Sequence, residues 1–420
     1  MENKKNSDFR PEKKIPLATP TMHEEEMGFI HEAFERNWIA PLGFNCDGLE
    51  EEIAQYLATG EIVPAGSSPY HTLSLASGTA ALHLAVKLAG IGRGDIVLCS
   101  DMTFSATVNP ISYEGALQVF VDSEYDTWNM DPEALKIAFE KYPKAKAVML
   151  AHLYGTPAKI DEIRRICDEH GAVLIEDAAE SLASTYKGRQ TGTFGDVAAI
   201  SFNGNKIITT SGGGMLITKE KAARDKAFFW ATQSREQAPW YQHREIGYNY
   251  RMSNVCAGIG RGQLRHLEEH RAAKEAIYER YRAGFAQAGA PLSMNPYLED
   301  THPNFWLSCL LLDEDAGLSP MELHRFLAER DIETRPIWKP MHLQPVFAEN
   351  DFITTPQRTP IRDAAHLISG PESDFARSAG GNKRPVDEDI FARGLCLPSD
   401  IKMTEEEQDY VIDCICEALR

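Results

Sequence analysis

Ala172-Val-Leu-Ile-Glu-Asp177 and, further on, Val197-Ala-Ala-Ile-Ser-Phe-Asn-Gly-Asn-Lys206-Ile-Ile-Thr-Thr-Ser-Gly-Gly-Gly214 are the stretches that decide the fold. Each begins as a short apolar run bounded by polar or glycine-rich chain, the pattern of a strand buried on both faces. Each run leads to a residue that can do chemistry, Asp177 in the first and Lys206 in the second. Working outward, Ile96–Cys99, Leu117–Val121, Ala147–Ala151, Val173–Ile175, Val197–Phe202 and Met215–Ile217 read as strands. Amphipathic segments such as Pro132–Glu140 and Ile160–His170 separate them. Alternation of this kind predicts an α/β fold, with helices packed on a mostly parallel sheet.

Ser77-Gly-Thr-Ala-Ala-Leu-His-Leu-Ala-Val-Lys-Leu-Ala-Gly90 reads as a complete helix, with a hydroxyl cap, apolar residues at Leu82, Ala85, Val86 and Ala89, and Gly90 as the stop. Its first turn is a ready anion site. After about residue 255 a long charged helix runs through Gln263 to about Ala288, and the chain closes on a helix at Thr404–Leu419. With 420 residues the chain exceeds what one growing core accommodates. The expected organisation is a loose tail (1–15), a large domain (16–264) and a smaller α+β domain (265–420) carrying a mobile polar loop at about 363–388.

The net charge of −19 opposes extended contact with nucleic acid, and no apolar run is long enough to span a membrane. The eight cysteines lack CxxC pairs, so buried reduced thiols are expected, with no metal and a cytoplasmic location. The start of the chain is charged and reads as no signal peptide.

Lys206 and Asp177 each follow a predicted buried strand at its carboxyl end, where α/β proteins build their sites. A partly desolvated lysine can attack an aldehyde, and a carboxylate can hold a pyridine nitrogen protonated, which together suit pyridoxal phosphate (PLP). In isolation Asp177 could equally cap a following helix, and Lys206 could be a solvated loop residue. Ser77-Gly78-Thr79 offers amides and hydroxyls for a phosphate, and Phe104, in Asp101-Met-Thr-Phe-Ser-Ala-Thr107, could stack on a ring or pack in the core. A nicotinamide-binding fold is disfavoured, because the turn at Ser77-Gly-Thr-Ala-Ala81 is not GxGxxG.

Taken together, Asn37-Trp-Ile-Ala-Pro-Leu-Gly43, Ala151-His-Leu-Tyr-Gly155, Glu176-Asp-Ala-Ala-Glu-Ser-Leu182, Ser201 to Met215, Gly247-Tyr-Asn-Tyr-Arg-Met-Ser-Asn254 and Glu333-Thr-Arg-Pro-Ile-Trp-Lys-Pro-Met-His342 resemble the DegT/DnrJ-type nucleotide-sugar aminotransferases. The similarity runs from about Pro16 to the last helix and is strongest to UDP-sugar 4-aminotransferases of the N-acetylbacillosamine pathway. It implies the aspartate aminotransferase fold (fold type I). By this resemblance Lys206 carries PLP, Asp177 pairs with the pyridine nitrogen and Phe104 stacks on the ring. Gly78, Thr79 and Ser201 hold the phosphate, Asn203 borders the cofactor, and Glu180 approaches its phenolic oxygen. Asn249 reaches the cofactor of a second subunit, which implies a homodimer with shared sites.

Asn37, Trp38, Arg235, Arg335 and His342 lie in segments that border the substrate pocket in the family. The implied reaction moves the amino group of L-glutamate to C4 of a UDP-linked 2-acetamido-2,6-dideoxy-4-keto-hexose. Rival readings keep the fold and cofactor with a GDP- or dTDP-linked keto sugar, or make the chain a PLP-binding regulator without catalysis. Lysine at 206 argues against a PLP dehydratase of the same fold, where histidine stands.

Overall fold

The computed structural model describes residues 10–62, 67–360 and 383–420. Its centre is an eight-stranded sheet of β1 (His71–Leu75), β2 (Ile96–Ser100), β3 (Leu117–Val121), β4 (Ala147–Ala151), β5 (Val173–Asp177), β8 (Val197–Ser201), β9 (Gly214–Thr218) and β14 (Phe352–Ile353). Between β5 and β8 the chain makes β6 (Thr185–Tyr186) and β7 (Arg189–Gln190), which with β11 (Thr301–His302) form a separate three-stranded sheet in the order β11-β6-β7. The spatial order of the large sheet is β1-β9-β8-β5-β4-β2-β3-β14, and only β9 runs against its neighbours. The expected strands are present, but β1 and β14 were not among them. β14 is two residues long and joins the sheet edge from far along the chain, so it leaves no periodic signal.

The central strands are apolar throughout because helices cover both faces. In β2, Val97 and Cys99 enter one core cluster with helix Gly78–Leu88, while Leu98 enters the other with helices Pro132–Lys141 and Ile160–His170. β4 divides in the same way, Ala147 and Met149 to one face, Val148 and Leu150 to the other. Each of these Val, Leu and Met side chains taken out of water contributes about 1.5–3 kcal/mol.

A smaller antiparallel sheet, in the order β10-β12-β15-β13, is formed by β10 (Leu292–Met294), β12 (Cys309–Leu312), β13 (Arg335–Pro336) and β15 (Gly394–Cys396). Helices Leu267–Ala288, Pro320–Ala328 and Glu405–Ala418 pack on it in a third core. The long charged helix expected from the sequence breaks at Arg265–His266 into Asn254–Leu264 and Leu267–Ala288. Ile15, placed by the sequence in a loose tail, is fully buried in this third core and bridges Ile332. Most of the expected loop at 363–388 lies outside the described residues; its last part, from Val386, is buried helix (Val386–Arg393) and not loop, because its first turn docks on Asp122. All eight cysteines are free. Among the described residues no helix is long and apolar enough to cross a membrane.

Candidate active site

Strand register builds the site. Asp177 of β5 lies opposite Ala199 of β8, and Ser201 at the end of β8 pairs with Gly214 of β9, which in turn pairs with Leu75 of β1. This alignment brings Ser77, just beyond β1, beside Ser201. Gly214 permits the approach: a Cβ there would stand 2.3 Å from the Gly78 amide nitrogen. A Cβ on Gly78 would meet the Ser201 Cβ at 3.1 Å. Ser77 caps helix Gly78–Leu88 by accepting from the Ala80 amide at 3.0 Å, and the Gly78 and Thr79 amides precede the first intrahelical bond.

A cavity of about 380 Å³ opens on this edge, lined by Gly78, Thr79, Phe104, Asp177, Glu180, Ser201, Asn203 and Lys206. The structure thus brings together eight of the residues named from sequence. Phe104 offers an exposed ring to the cavity, and its centroid lies 5.4 Å from that of Trp338. Asp177 caps no helix. Its Oδ1 accepts from the Ala179 amide at 3.0 Å within a turn, and its Oδ2 accepts from the Thr107 hydroxyl at 2.6 Å. Thr107 is held in turn by Thr103, with 2.6 Å between the hydroxyl oxygens.

The Lys206 Nζ lies 3.7 Å from Glu180 Oε1 and 3.8 Å from the centre of the Trp306 ring. Burial pulls the Lys206 pKa down against the pull of Glu180 and Asp177. Burial likewise pushes Asp177 and Glu180 above the usual carboxylate range, with Lys206 opposing. The other oxygen of Glu180 accepts from the Tyr154 amide at 2.7 Å.

Behind the site, Glu176 is fully buried and well supplied with donors. Its Oε1 accepts from the Phe194 amide at 2.6 Å and from that of Gly195, and its Oε2 from the Gly192 amide at 2.7 Å. His152 Nε2 also lies 3.1 Å from Oε2, while its Nδ1 accepts from the Ala158 amide at 3.1 Å. Those bonds hold the Glu176 carboxyl below its ordinary range despite burial. They also fix His152 where it lines the cavity.

The remaining expected residues lie outside the cavity lining. Asn249 is exposed and bridges Thr232. Asn37 and Trp38 are exposed, and the Trp38 indole donates to the Leu42 carbonyl. Arg235 stacks over Tyr241, 4.3 Å from the ring centre, and Arg335 pairs with Glu333 at 2.6 Å. His342 is turned to Asp101 and Glu388. Thr103, Thr107, His152, Trp306 and Trp338 line the cavity without having been named for it. The spacing of Thr103 and Thr107 in the quoted Phe104 motif was a usable signal, since it puts both hydroxyls on one side of a turn. Trp306 lies 100 residues beyond Lys206 in the chain and carried none.

A PLP phosphate fits the first turn of helix Gly78–Leu88, its pyridine nitrogen fits Asp177, and its aldehyde fits Lys206. The sequence profile of the DegT/DnrJ/EryC1/StrS aminotransferase family matches residues 20–369. This chain belongs to that family. It is 45% identical over 407 residues to the putative pyridoxal phosphate-dependent aminotransferase EpsN of Bacillus subtilis, covering 96% of this chain and 95% of the relative. It is 35% identical over 333 residues to the GDP-perosamine synthase of Vibrio cholerae, covering 79% and 87%. Among solved structures, the aminotransferase TlmJ of Streptoalloteichus hindustanus superposes with a TM-score of 0.79 at 25% identity, covering 96% of this chain and 98% of TlmJ. The chain is a PLP-dependent sugar aminotransferase of fold type I.

Proposed function

We propose that this aminotransferase moves the amino group of L-glutamate to C4 of a nucleotide-linked 4-keto sugar, with a UDP-linked 2-acetamido-2,6-dideoxy-4-keto-hexose as acceptor. The observation that carries the reading is the convergence of Lys206, Asp177 and the first turn of helix Gly78–Leu88 on one cavity. When bound, PLP supplies an aldehyde that takes up an amino group and a ring that spreads the charge left at carbon. Desolvation favours the neutral Lys206 amine, which holds the cofactor and moves the proton between the amino acid Cα and the cofactor. Asp177, steadied by Thr107 and the Ala179 amide, holds the proton on the pyridine nitrogen. Phe104 covers the ring, Gly78, Thr79 and Ser201 meet the phosphate, Asn203 borders it, and Glu180 faces the phenolic oxygen. Glutamate leaves as 2-oxoglutarate, and the C4 carbonyl becomes the amine. A ketone is required because only a carbonyl condenses with an amine.

In this reading the enzyme works in the cytoplasm as a homodimer in which Asn249 reaches the phosphate in the partner's site. Asn37, Trp38, Arg235, Arg335 and His342 then belong to segments around the sugar nucleotide. A second reading, a GDP-linked keto sugar, is supported by the GDP-perosamine synthase of Vibrio cholerae among the relatives.

Purified enzyme tests the cofactor assignment through its absorption. PLP bound to Lys206 should absorb in the near-violet; glutamate should bleach that band, and Lys206→Ala should lose it together with about 10²–10⁴-fold in amino transfer. A variant with an unchanged band refutes the lysine assignment. Glutamate supplied with UDP-, GDP- and dTDP-linked keto sugars in turn decides the acceptor, and turnover confined to a GDP- or dTDP-sugar overturns the UDP choice.

A further inference from the structure

The carboxyl ends of β2 and β3 hold a second polar cluster that amino transfer does not use. Asp101 follows β2, Asp122 follows β3, and Asp387 and Glu388 sit in the first turn of helix Val386–Arg393. His342 comes from the short turn Met341–Leu343, whose Met341 amide donates to the Asp101 carbonyl at 3.0 Å. All four carboxylates are buried.

The hydrogen bonds separate these groups by role. Asp122 is satisfied at both oxygens: Oδ1 accepts from the Ser123 and Asp387 amides at 2.8 and 3.2 Å, and Oδ2 from the Thr354 hydroxyl and the Val386 amide at 2.6 and 3.2 Å. It serves as the cap of the helix. His342 Nε2 lies 3.2 Å from Glu388 Oε1, and its Nδ1 lies 2.6 Å from Asp101 Oδ2. Asp387 accepts the Glu388 amide at Oδ1, at 2.8 Å, but its Oδ2 is sealed from solvent and receives no N–H or hydroxyl donor, with only the carboxyls of Asp101 and Asp122 in reach. Ligand atoms of Asp101, His342 and Asp387 all lie within 4.8 Å of one another.

A buried carboxylate oxygen with no donor is costly unless a cation or a proton meets it. The imidazole is arranged for a cation. A histidine that binds metal through one nitrogen commonly gives the other N–H to a carboxylate, and Glu388 stands where that acceptor belongs. Mixed carboxylate and imidazole donors suit borderline divalent ions. Bonds of about 2.1 Å require ligand atoms no more than about 4.2 Å apart, so an ion would draw in a cluster now spread over up to 4.8 Å and would open the 2.6 Å His342–Asp101 contact. We propose that Asp101, His342 and Asp387 form a binding site for a divalent cation of the Mn²⁺ or Zn²⁺ kind, with Glu388 orienting the imidazole.

The ligands come from three segments remote in sequence, so the absence of paired cysteines, on which no metal was expected, has no bearing on them. Asp101 stands three residues before Phe104, so the ion would tie the Met341–Leu343 turn and helix Val386–Arg393 to the strand that carries the ring platform.

The test uses the full chain stripped with a chelator, desalted, and dialysed against Mn²⁺ or Zn²⁺. Elemental analysis should find about one ion per wild-type chain and almost none in Asp387→Asn or Asp101→Asn. Pulsed electron paramagnetic resonance of the Mn²⁺-loaded wild type should detect one coupled imidazole nitrogen, a readout that does not depend on a variant folding. Wild type that retains no ion, variants that retain as much as wild type, or bound Mn²⁺ without nitrogen coupling would each overturn the site. The first result would assign the space to a proton shared between Asp101 and Asp387. None of these measurements involves PLP or a sugar, so failure here leaves the amino-transfer reading untouched.

Discussion

Glu176 and Asp387 are both fully buried carboxylates near the working edge of the large sheet, and their surroundings drive them in opposite directions. Glu176 receives three backbone amides and His152, and stays below its ordinary pKa. Asp387 has one amide at one oxygen and no donor at the other, and burial beside Asp122 and Asp101 raises it well above the ordinary value. Desolvation is the largest influence on both groups. With burial common to both, donors around Glu176 and neighbouring carboxylates around Asp387 decide which buried acid keeps its charge.

The strongest attempt to break this contrast is Glu176→Gln. It keeps the shape but sets an amide N–H against backbone donors, and should cost about 3 kcal/mol in urea unfolding. A loss below about 1 kcal/mol would mean that the donors found other acceptors.

Lys274 extends the comparison to a buried cation. Its ammonium donates to the Trp306 and Ser399 carbonyls at 3.0 and 2.8 Å, and burial lowers its pKa to about 8. The folded chain therefore releases this proton before the unfolded chain does. The cost of the buried charge is complete below pH 8 and is relieved as pH rises from about 8 toward the ordinary value of 10.5. Through this group stability should rise across that window by on the order of 2 kcal/mol. Lys274→Met should flatten the rise, as unfolding midpoints at pH 8 and pH 10 would reveal.

Thr107→Val takes one of the donors from Asp177. A fall in kcat of about tenfold is expected, with Thr107→Ser restoring most of it and KM for glutamate little changed. An unchanged kcat would show that the Ala179 amide suffices. The smallest effect belongs to Asp387→Asn in chelator-treated protein, where a carboxyl whose charge burial already disfavours gives way to a neutral amide, and stability should change by no more than about 1 kcal/mol, in the stabilising direction. A large loss would reveal a charge interaction at Asp387 Oδ2.

The same contrast explains what was legible in the sequence. The runs at 147–151 and 173–177 announce strands because burial on both faces leaves no polar alternation. Ser77, Gly78 and Thr79 announce a helix start because caps are local chemistry. Lys206, Asp177 and Phe104 follow from where those strands end, and the cavity gathers them with Ser201 and Asn203. Thr107 became visible as a partner of Asp177 only through β2 and β5 lying in one sheet with β4 between them. Trp306 and the Asp101–His342–Asp387 cluster depend on chain segments 45 or more residues apart. No periodicity records such contacts. His342 shows the limit from the other side: its motif was recognisable, but its orientation is set by two carboxylates that no local reading connects to it.

Trp306 stands between two lysines. Lys206 faces its ring at 3.8 Å, its indole N–H donates to the Asn205 carbonyl at 2.7 Å, and its own carbonyl accepts from Lys274. A positive charge over an indole face perturbs its electronic states as well as attracting it. Whatever neutralises Lys206 should therefore change the emission of this one ring. The protein carries its own optical gauge of the lysine's charge, readable as the fluorescence difference between the native chain and Trp306→Phe.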